Sequence, residues 1–269
     1  MRLDLYLVEL SLARSRNHAS QLIDAERVIV GGKVARKASQ NVAEGVPVSI
    51  LEANDYVSRA GHKLAGALDK FGAIDVNGKI CLDVGASTGG FTDVLLRRGA
   101  KQVISVDVGH GQMVAELAQN SRVKNVEGYN AREMNFESLS QATGISLTDS
   151  TIELVVSDLS FISLTLVLPA MVQVAPNADF VVLIKPQFEV GKQSLSANGI
   201  VNDHRLRAFG IHQVVDCAIE LGLGIKGLEK SELVGTHGNI EYLLWISSQQ
   251  AKNQQEWSDR IDSLAREKV

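Results

Sequence analysis

The chain lacks the means to cross a bilayer as a helix. None of its 269 residues falls in a run approaching the roughly 18 consecutive apolar residues that a span needs. The apolar opening Met1–Glu9 is broken by Asp4 and ends on Glu9, so it does not read as a signal peptide. Cysteine is nearly absent. Cys81 and Cys217 are too few for a disulfide framework and have no metal-ligand spacing, so both read as buried thiols of a reducing, cytoplasmic protein. An excess of positive charge is missing too: 27 bases face 31 acids, a net charge of −4, so any affinity for nucleic acid has to be local. There is no internal repeat and no low-complexity linker. What the chain does have is 45% hydrophobic residues, enough for a sizeable core, and a length that suits one large domain and one small one.

The most telling stretch is Cys81-Leu82-Asp83-Val84-Gly85-Ala86-Ser87-Thr88-Gly89-Gly90-Phe91-Thr92. An apolar strand ends in an acid and a glycine-rich turn, and a helix follows. Twenty-four residues after Asp83 a second apolar strand, Gln102–Val106, ends at Asp107. This is the layout of a nucleotide-type cofactor site at the carboxyl edge of a parallel sheet, with the second acid placed for a ribose diol. The glycine spacing is not the one that admits a pyrophosphate, and no triphosphate-loop lysine follows. S-adenosylmethionine, which has a ribose and no phosphate, fits these residues better. Gly85, Ala86, Ser87, Thr88, Gly89 and Gly90 are the candidate contacts, with Asp83 near the methionine amino group and Asp107 and Val108 near the ribose. Asn130, after the third strand, is placed either to touch adenine or simply to shape a turn.

The local basic signal lies at the front. Arg14, Arg16, Arg27, Lys33, Arg36 and Lys37 are opposed between 14 and 37 only by Asp24 and Glu26, with His18 among them. A helix over Leu3–Val8 precedes a second helix capped by Ser15, which carries Ala19, Leu22 and Ile23 at helical spacing. Val28–Val30 and Lys33–Val34 flank Gly31-Gly32 as a hairpin, and Val46–Ile50 is a third strand. A basic helix beside a basic hairpin suits a phosphate backbone. Through Arg2-Leu3-Asp4, Ala13–Arg16 to Leu22-Ile23, and Val28–Val34, this segment resembles the αL-type RNA-binding motif. That resemblance implies recognition of structured RNA by shape and phosphate contacts. Arg2, Arg14, Arg16, His18, Lys33, Arg36 and Lys37 are the residues expected to make them.

The remainder alternates apolar strands (79–84, 102–107, 123–126, 152–157, 179–184, 241–247) with helical stretches (89–98, 112–119, 162–172, 203–221). Such alternation predicts an α/β fold, a Rossmann-like, doubly wound, mostly parallel sheet, behind a small α+β N-terminal domain. The expected division is 1–53 for RNA binding, 54–60 as linker, 61–248 for the sheet domain and 249–269 as a polar tail, one exposed helix or a frayed end. In the 203–221 helix, Leu206, Phe209, Val214 and Ala218 read as core, with His204 and His212 outside. Asp158 and Lys185 each follow an apolar strand, where ligands of open sheets bind. Glu241 opens a strand and Lys63 opens a helix. The plain alternative for all four is a solvated charge at an element end.

Five runs now matter together: Tyr56–Leu64, Leu82–Asp93, Ser157–Leu164, Leu183–Glu189 and Gly238–Tyr242. In order and over almost the whole chain they resemble the TlyA family, whose members join an αL-type RNA-binding domain to an FtsJ-like ribose methyltransferase domain. The resemblance implies transfer of methyl from S-adenosylmethionine to a 2′-hydroxyl of rRNA, typically on cytidine, in ribosomal subunits. It maps the family's Lys-Asp-Lys-Glu tetrad onto Lys63, Asp158, Lys185 and Glu241, and it implies no metal. A ribose hydroxyl is a weak nucleophile, so a group must align it in line with the methyl and take its proton. Lys185 is the candidate base, with Asp158 orienting its amine and Glu241 orienting Lys63 or the ribose; lysines that stay charged and stabilise an alkoxide are the other reading. Two other functions stay open from sequence: an RNA-binding assembly factor without catalysis, and a membrane-active hemolysin. The absence of spans and of a strongly cationic amphipathic helix weighs against the latter.

Overall fold

The computed structural model describes the chain except residues 14, 25–26, 44, 51–55, 236–237, 249–253 and 268–269, and except the side chains of 192 and 254–256. It divides into two compact units, Met1–Asp55 and Tyr56–Val269.

In the first unit, helices α1 (Leu3–Glu9) and α2 (Arg16–Asp24) pack on a three-stranded antiparallel sheet of β1 (Val28–Val30), β2 (Lys33–Val34) and β3 (Val48–Ile50), in the order β2-β1-β3. The Ser15 hydroxyl accepts from the His18 amide at 3.1 Å, satisfying one of the free donors at the start of α2. The apolar spacing of that helix buries Ala19, Leu22 and Ile23 against Leu3, Leu7 and Val28. A core this small leaves the unit little stability to spare.

The second unit opens with α3 (Arg59–Phe71) and then alternates: β4 (Ile80–Val84), α4 (Gly90–Arg97), β5 (Gln102–Val106), α5 (Ala115–Ala118), β6 (Val123–Val126), α6 (Phe136–Thr143), β7 (Leu154–Ser157), α7 (Leu168–Val174), β8 (Asp179–Ile184), α8 (Pro186–Glu189) and α9 (His204–Glu220). The hairpin pair β9 (Gly224–Lys230) and β10 (Tyr242–Ser247) follows, then α10 (Gln254–Arg266). The seven strands lie in the order β6-β5-β4-β7-β8-β10-β9. The first five in that order are parallel, while β10 runs antiparallel to both neighbours. This is the Rossmann-like sheet expected from the alternation.

Strand residues alternate between two cores, as period-two side chains of a sheet covered on both faces must. Leu82, Val84, Val155, Phe180, Val182 and Ile184 face α7, α9 and α10. Cys81, Leu154, Val156, Val181 and Leu183 face α3, α4 and α5. Truncating a fully buried residue such as Leu82 to alanine is expected to cost about 2–5 kcal/mol.

Several expectations need correction. Residues 254–266 are not an exposed or frayed tail: α10 buries Ile261, Leu264 and Ala265 in the same core as α9. The buried Arg207 fastens its end, donating from Nε and Nη2 to the Ala265 carbonyl at 3.1 and 2.7 Å. Phe209 is not core. It stands half exposed on α9, whose inward face is instead set by Ala208, Ile211, Val214, Val215 and Ala218. Strand β9 and helix α6 were not foreseen. The first carries two glycines and alternating charge, and the second is a polar stretch defined by a capping box at Asn135. Cys81 is fully buried, which pushes its thiol up to about 12, whereas Cys217 is only half buried. No helix among the described residues is long and apolar enough to cross a membrane.

Candidate active site

Four charged side chains meet at one edge of the sheet. Lys185 and Asp158 arrive there because β8 and β7 are parallel and both end at that edge. Glu241 precedes its strand. It reaches the same edge because β10 is antiparallel, with Tyr242 opposite Ile184 in the register. Lys63 comes from the first turns of α3. Lys63 Nζ donates to Glu241 Oε2 at 2.5 Å, and Lys185 Nζ lies 2.6 Å from Asp158 Oδ1. Lys185 and Glu241 are 8% and 2% exposed, so both pairs work at low effective dielectric, where charge on one partner is felt strongly by the other. Lys185 also donates to Ser160 Oγ at 2.9 Å and lies 5.9 Å from the centre of the Phe188 ring.

These residues line a cavity of about 420 Å³ that continues along the glycine-rich turn through Gly85, Ala86, Ser87, Thr88 and Gly90. Gly85 has φ +88°, and a Cβ there would come within 3.0 Å of the Asp158 carbonyl oxygen, so a side chain would both strain the turn and intrude at the floor of the cavity. Asp107, at the end of β5, shapes the turn directly. Its Oδ2 accepts from the Ser87 amide and its Oδ1 from the Gly109 amide, each at 2.7 Å. Each oxygen keeps a lone pair for a further donor. The Ser87 hydroxyl, on a residue at φ +47°, donates to Gln112 Oε1 at 3.1 Å.

Asp83, in β4 just before the turn, is fully buried. Its Oδ2 accepts from the Thr92 hydroxyl at 2.7 Å, while Oδ1 has no hydrogen-bond partner among the described residues. Burial pushes this carboxyl up to about 7, against the opposing hydrogen bond from Thr92. Asp83, Gly89 and Asp107 are not among the lining residues of the cavity, but they flank the glycine turn that is, and the unpartnered oxygen of Asp83 with the spare lone pairs of Asp107 is a donor-seeking set that suits the amino group and ribose of S-adenosylmethionine.

The other sequence candidates are less central. Val108 is 73% exposed and outside the cavity lining. Asn130 is exposed and turned onto its own chain: Oδ1 accepts from the Arg132 amide at 3.2 Å and Nδ2 donates to Glu133 at 2.8 Å, the turn-shaping role. In the first unit, Arg2 and Arg16 both fork onto the buried Asp4, with closest contacts of 3.0 Å each. The hydrogen bond from Arg2, with help from Arg16, holds the Asp4 carboxyl well below the usual carboxylate range. Lys33, Arg36 and Lys37 are exposed, His18 is half buried, and Arg14 lies outside the described residues.

Four residues near the cavity were not singled out from sequence. Ser58 and Arg59 line it, Ser160 binds Lys185, and Phe161 is 92% exposed with φ +66°, packed on Phe188 at 5.4 Å between ring centres. Each sits inside one of the runs that carry the family resemblance, but nothing in the residue types alone distinguishes a lining residue from its neighbours.

The sheet, the glycine turn and the paired charges at the strand ends define an S-adenosylmethionine-dependent methyltransferase. The model of the FtsJ-like methyltransferases matches residues 56–248, and that of the S4 domain matches 1–48. The chain belongs to the FtsJ-like methyltransferase family, in its TlyA branch. It is 45% identical to the 16S/23S rRNA (cytidine-2′-O)-methyltransferase TlyA of Mycobacterium tuberculosis over 92% of this chain and 90% of that one. It is 39% identical to a protein of Brachyspira hyodysenteriae named Hemolysin A, over 90% and 98%. A solved structure from Streptococcus thermophilus, also named a hemolysin, superposes with a TM-score of 0.74 at 34% identity, covering 98% of this chain and 94% of that one.

Proposed function

We propose that this protein methylates the 2′-hydroxyl of a cytidine in rRNA, within ribosomal subunits assembled in the cytoplasm, using S-adenosylmethionine. The observation that carries the reading is the convergence of Lys63, Asp158, Lys185 and Glu241 on one cavity that runs onto the glycine turn. The cofactor supplies an activated methyl on its sulfonium. Asp83 would hold its methionine amino group and Asp107 its ribose diol, with the backbone of Gly85–Gly90 as the cradle for the methionine chain.

Lys185, as a neutral amine, takes the proton of the ribose hydroxyl that receives the methyl. Asp158 favours that step because it stabilises the ammonium that Lys185 becomes. Asp158 and Ser160 accept the two N–H donors of the neutral amine, leaving its lone pair for the ribose hydroxyl. Lys63, held by Glu241, adds positive potential beside the developing oxygen charge. Arg2, Arg14, Arg16, His18, Lys33, Arg36 and Lys37 contribute phosphate contacts from the S4 unit.

The test is transfer of labelled methyl from S-adenosylmethionine to separated ribosomal subunits from an unmodified strain, with Lys185→Ala in parallel. Label in an alkali-stable 2′-O-methylcytidine that the variant fails to produce is the expected result. Cofactor binding without label in either subunit would overturn the substrate, and absence of cofactor binding would return the protein to an assembly role.

A further inference from the structure

Lys63 pairs with Glu241 and Lys185 with Asp158, which leaves the exposed Arg59 as the one ionisable lining residue without such a partner among the described residues. Its guanidinium makes no ion pair among the described residues. Its hydrogen bond, from Nη2 to the Val234 carbonyl, is at the long limit of 3.5 Å. Arginine offers five donors in a fixed fork, so most of that capacity is unspent.

Beside it, Ser58 occupies the N-cap of α3 but does not cap it. Its side chain makes no bond to the helix, and its buried Oγ has no partner among the described residues. The hydroxyl sits over the first residue of α4, where a Cβ on Gly90 would come within 2.2 Å of it. A buried hydroxyl without a partner costs free energy unless something binds there, and an unmatched guanidinium beside it sets the sign of what binds.

We propose that Ser58 and Arg59 form an oxyanion subsite at the cavity, distinct from the four paired charges. The inference rests on the methyltransferase reading, and two groups in that reaction have this chemistry: a phosphate flanking the target ribose and the methionine carboxylate of the cofactor. A phosphate contact would make binding salt-dependent, with a slope of about 0.7–0.9 per neutralised phosphate. A carboxylate contact would act on the cofactor alone.

Arg59→Gln separates the possibilities, since glutamine still reaches as a donor toward Val234 but carries no charge. The full chain is used, with Ser58→Ala and Arg59→Lys beside it, and the melting temperature of each variant is checked first. If phosphate is held, Arg59→Gln raises KM for ribosomal subunits about tenfold, flattens its salt dependence by roughly one contact, and leaves the cofactor Kd unchanged. If the carboxylate is held, the cofactor Kd, read by calorimetry, weakens about tenfold and the RNA salt slope stays. In both cases Arg59→Lys recovers part of the loss and Ser58→Ala shows a smaller loss on the same side. Unchanged KM, salt slope and cofactor Kd in a folded Arg59→Gln protein would overturn the subsite. A wild-type enzyme that binds cofactor but labels no RNA would instead indict the substrate, and the calorimetric arm would still decide the carboxylate case.

Discussion

The Lys63–Glu241 pair allows stability and catalysis to be separated by experiment. Both side chains are nearly buried, at 10% and 2% exposure, and their charged atoms are 2.5 Å apart. Removing one partner strands the other. Lys63→Met leaves a carboxylate in the interior and Glu241→Leu leaves an ammonium, and each is expected to cost about 3 kcal/mol, the lower end for a broken buried pair because the cavity admits water. In a unit of this size that lowers Tm by about 6–12 °C. The double variant strands nothing, because two apolar side chains replace a pair whose desolvation had offset much of its attraction. Its Tm should return to within about 4 °C of the wild type. Methylation should be lost in all three. Gly235→Ala perturbs the same pair without removing charge, since a Cβ there would lie 2.5 Å from Glu241 Oε1 and push the carboxylate off Lys63. Thermal unfolding by calorimetry and methyl transfer to rRNA are measured on the same preparations. A double variant destabilised by the sum of the singles would show the pair to be solvent-screened and the burial argument wrong. A double variant that still methylates would remove the pair from the reacting site.

Cofactor affinity should depend on pH through Asp83. Burial raises this carboxyl to about 7, so a cationic amino group must draw it into its ionised form. The Kd for S-adenosylmethionine should tighten as pH rises from 6 toward 7.5, and Asp83→Asn should bind weakly with no such trend; a flat wild-type profile would contradict the contact. The S4 unit should be acid-sensitive. The Asp4 carboxyl is held low, so its stabilisation is complete above the ordinary value near 4 and fades as pH falls through the folded value. Protection factors over residues 3–23 of the full chain, corrected for intrinsic exchange, should fall in acid, and Asp4→Asn should lower them already at pH 7; equal protection in the variant would refute the role of the Arg2–Asp4–Arg16 cluster. Phe161 offers an exposed ring packed on Phe188, the ring that lies near Lys185. Phe161→Ala should lower kcat/KM for rRNA by about tenfold, within the range of one base–aromatic stack, while sparing cofactor Kd; an unaffected kcat/KM would leave its positive φ without a functional reason.

Much of this architecture was legible because it repeats a physical pattern. Apolar runs of five or six residues bounded by glycine, acid or proline could only be covered strands, and Gly85–Gly90 after such a run marked the ligand edge. Lys185 and Asp158 were visible for the same reason, each a charge directly behind a buried strand. Glu241 was not visible in that way. It stands before its strand, and only the antiparallel course of β10 carries it to the edge that the parallel strands reach with their carboxyl ends. Phe209 misled because helical spacing sets a face without saying how wide the covered stripe is. The tail misled because three apolar residues, Ile261, Leu264 and Ala265, dock a helix that is otherwise polar. Ser58 and Arg59 belong to no periodic pattern, and their place follows from which loops meet.

The position of β10 between β8 and β9 also bears on how the protein is made. The order of strands in the sheet is not the order of synthesis: the edge strand β9 leaves the ribosome before the strand that joins it to the rest. Until β10 arrives, β9 has no hydrogen-bonding partner in the sheet, and Lys63 has no carboxylate. A nascent chain already holding β4 through β8 would possess a glycine turn, Asp107, Asp158 and Lys185, yet not the residue that completes the four. Competence is therefore conferred only once Glu241 and β10 have been made, and chains cut short before Glu241 are expected to accumulate as partly formed sheets with an open edge along β8.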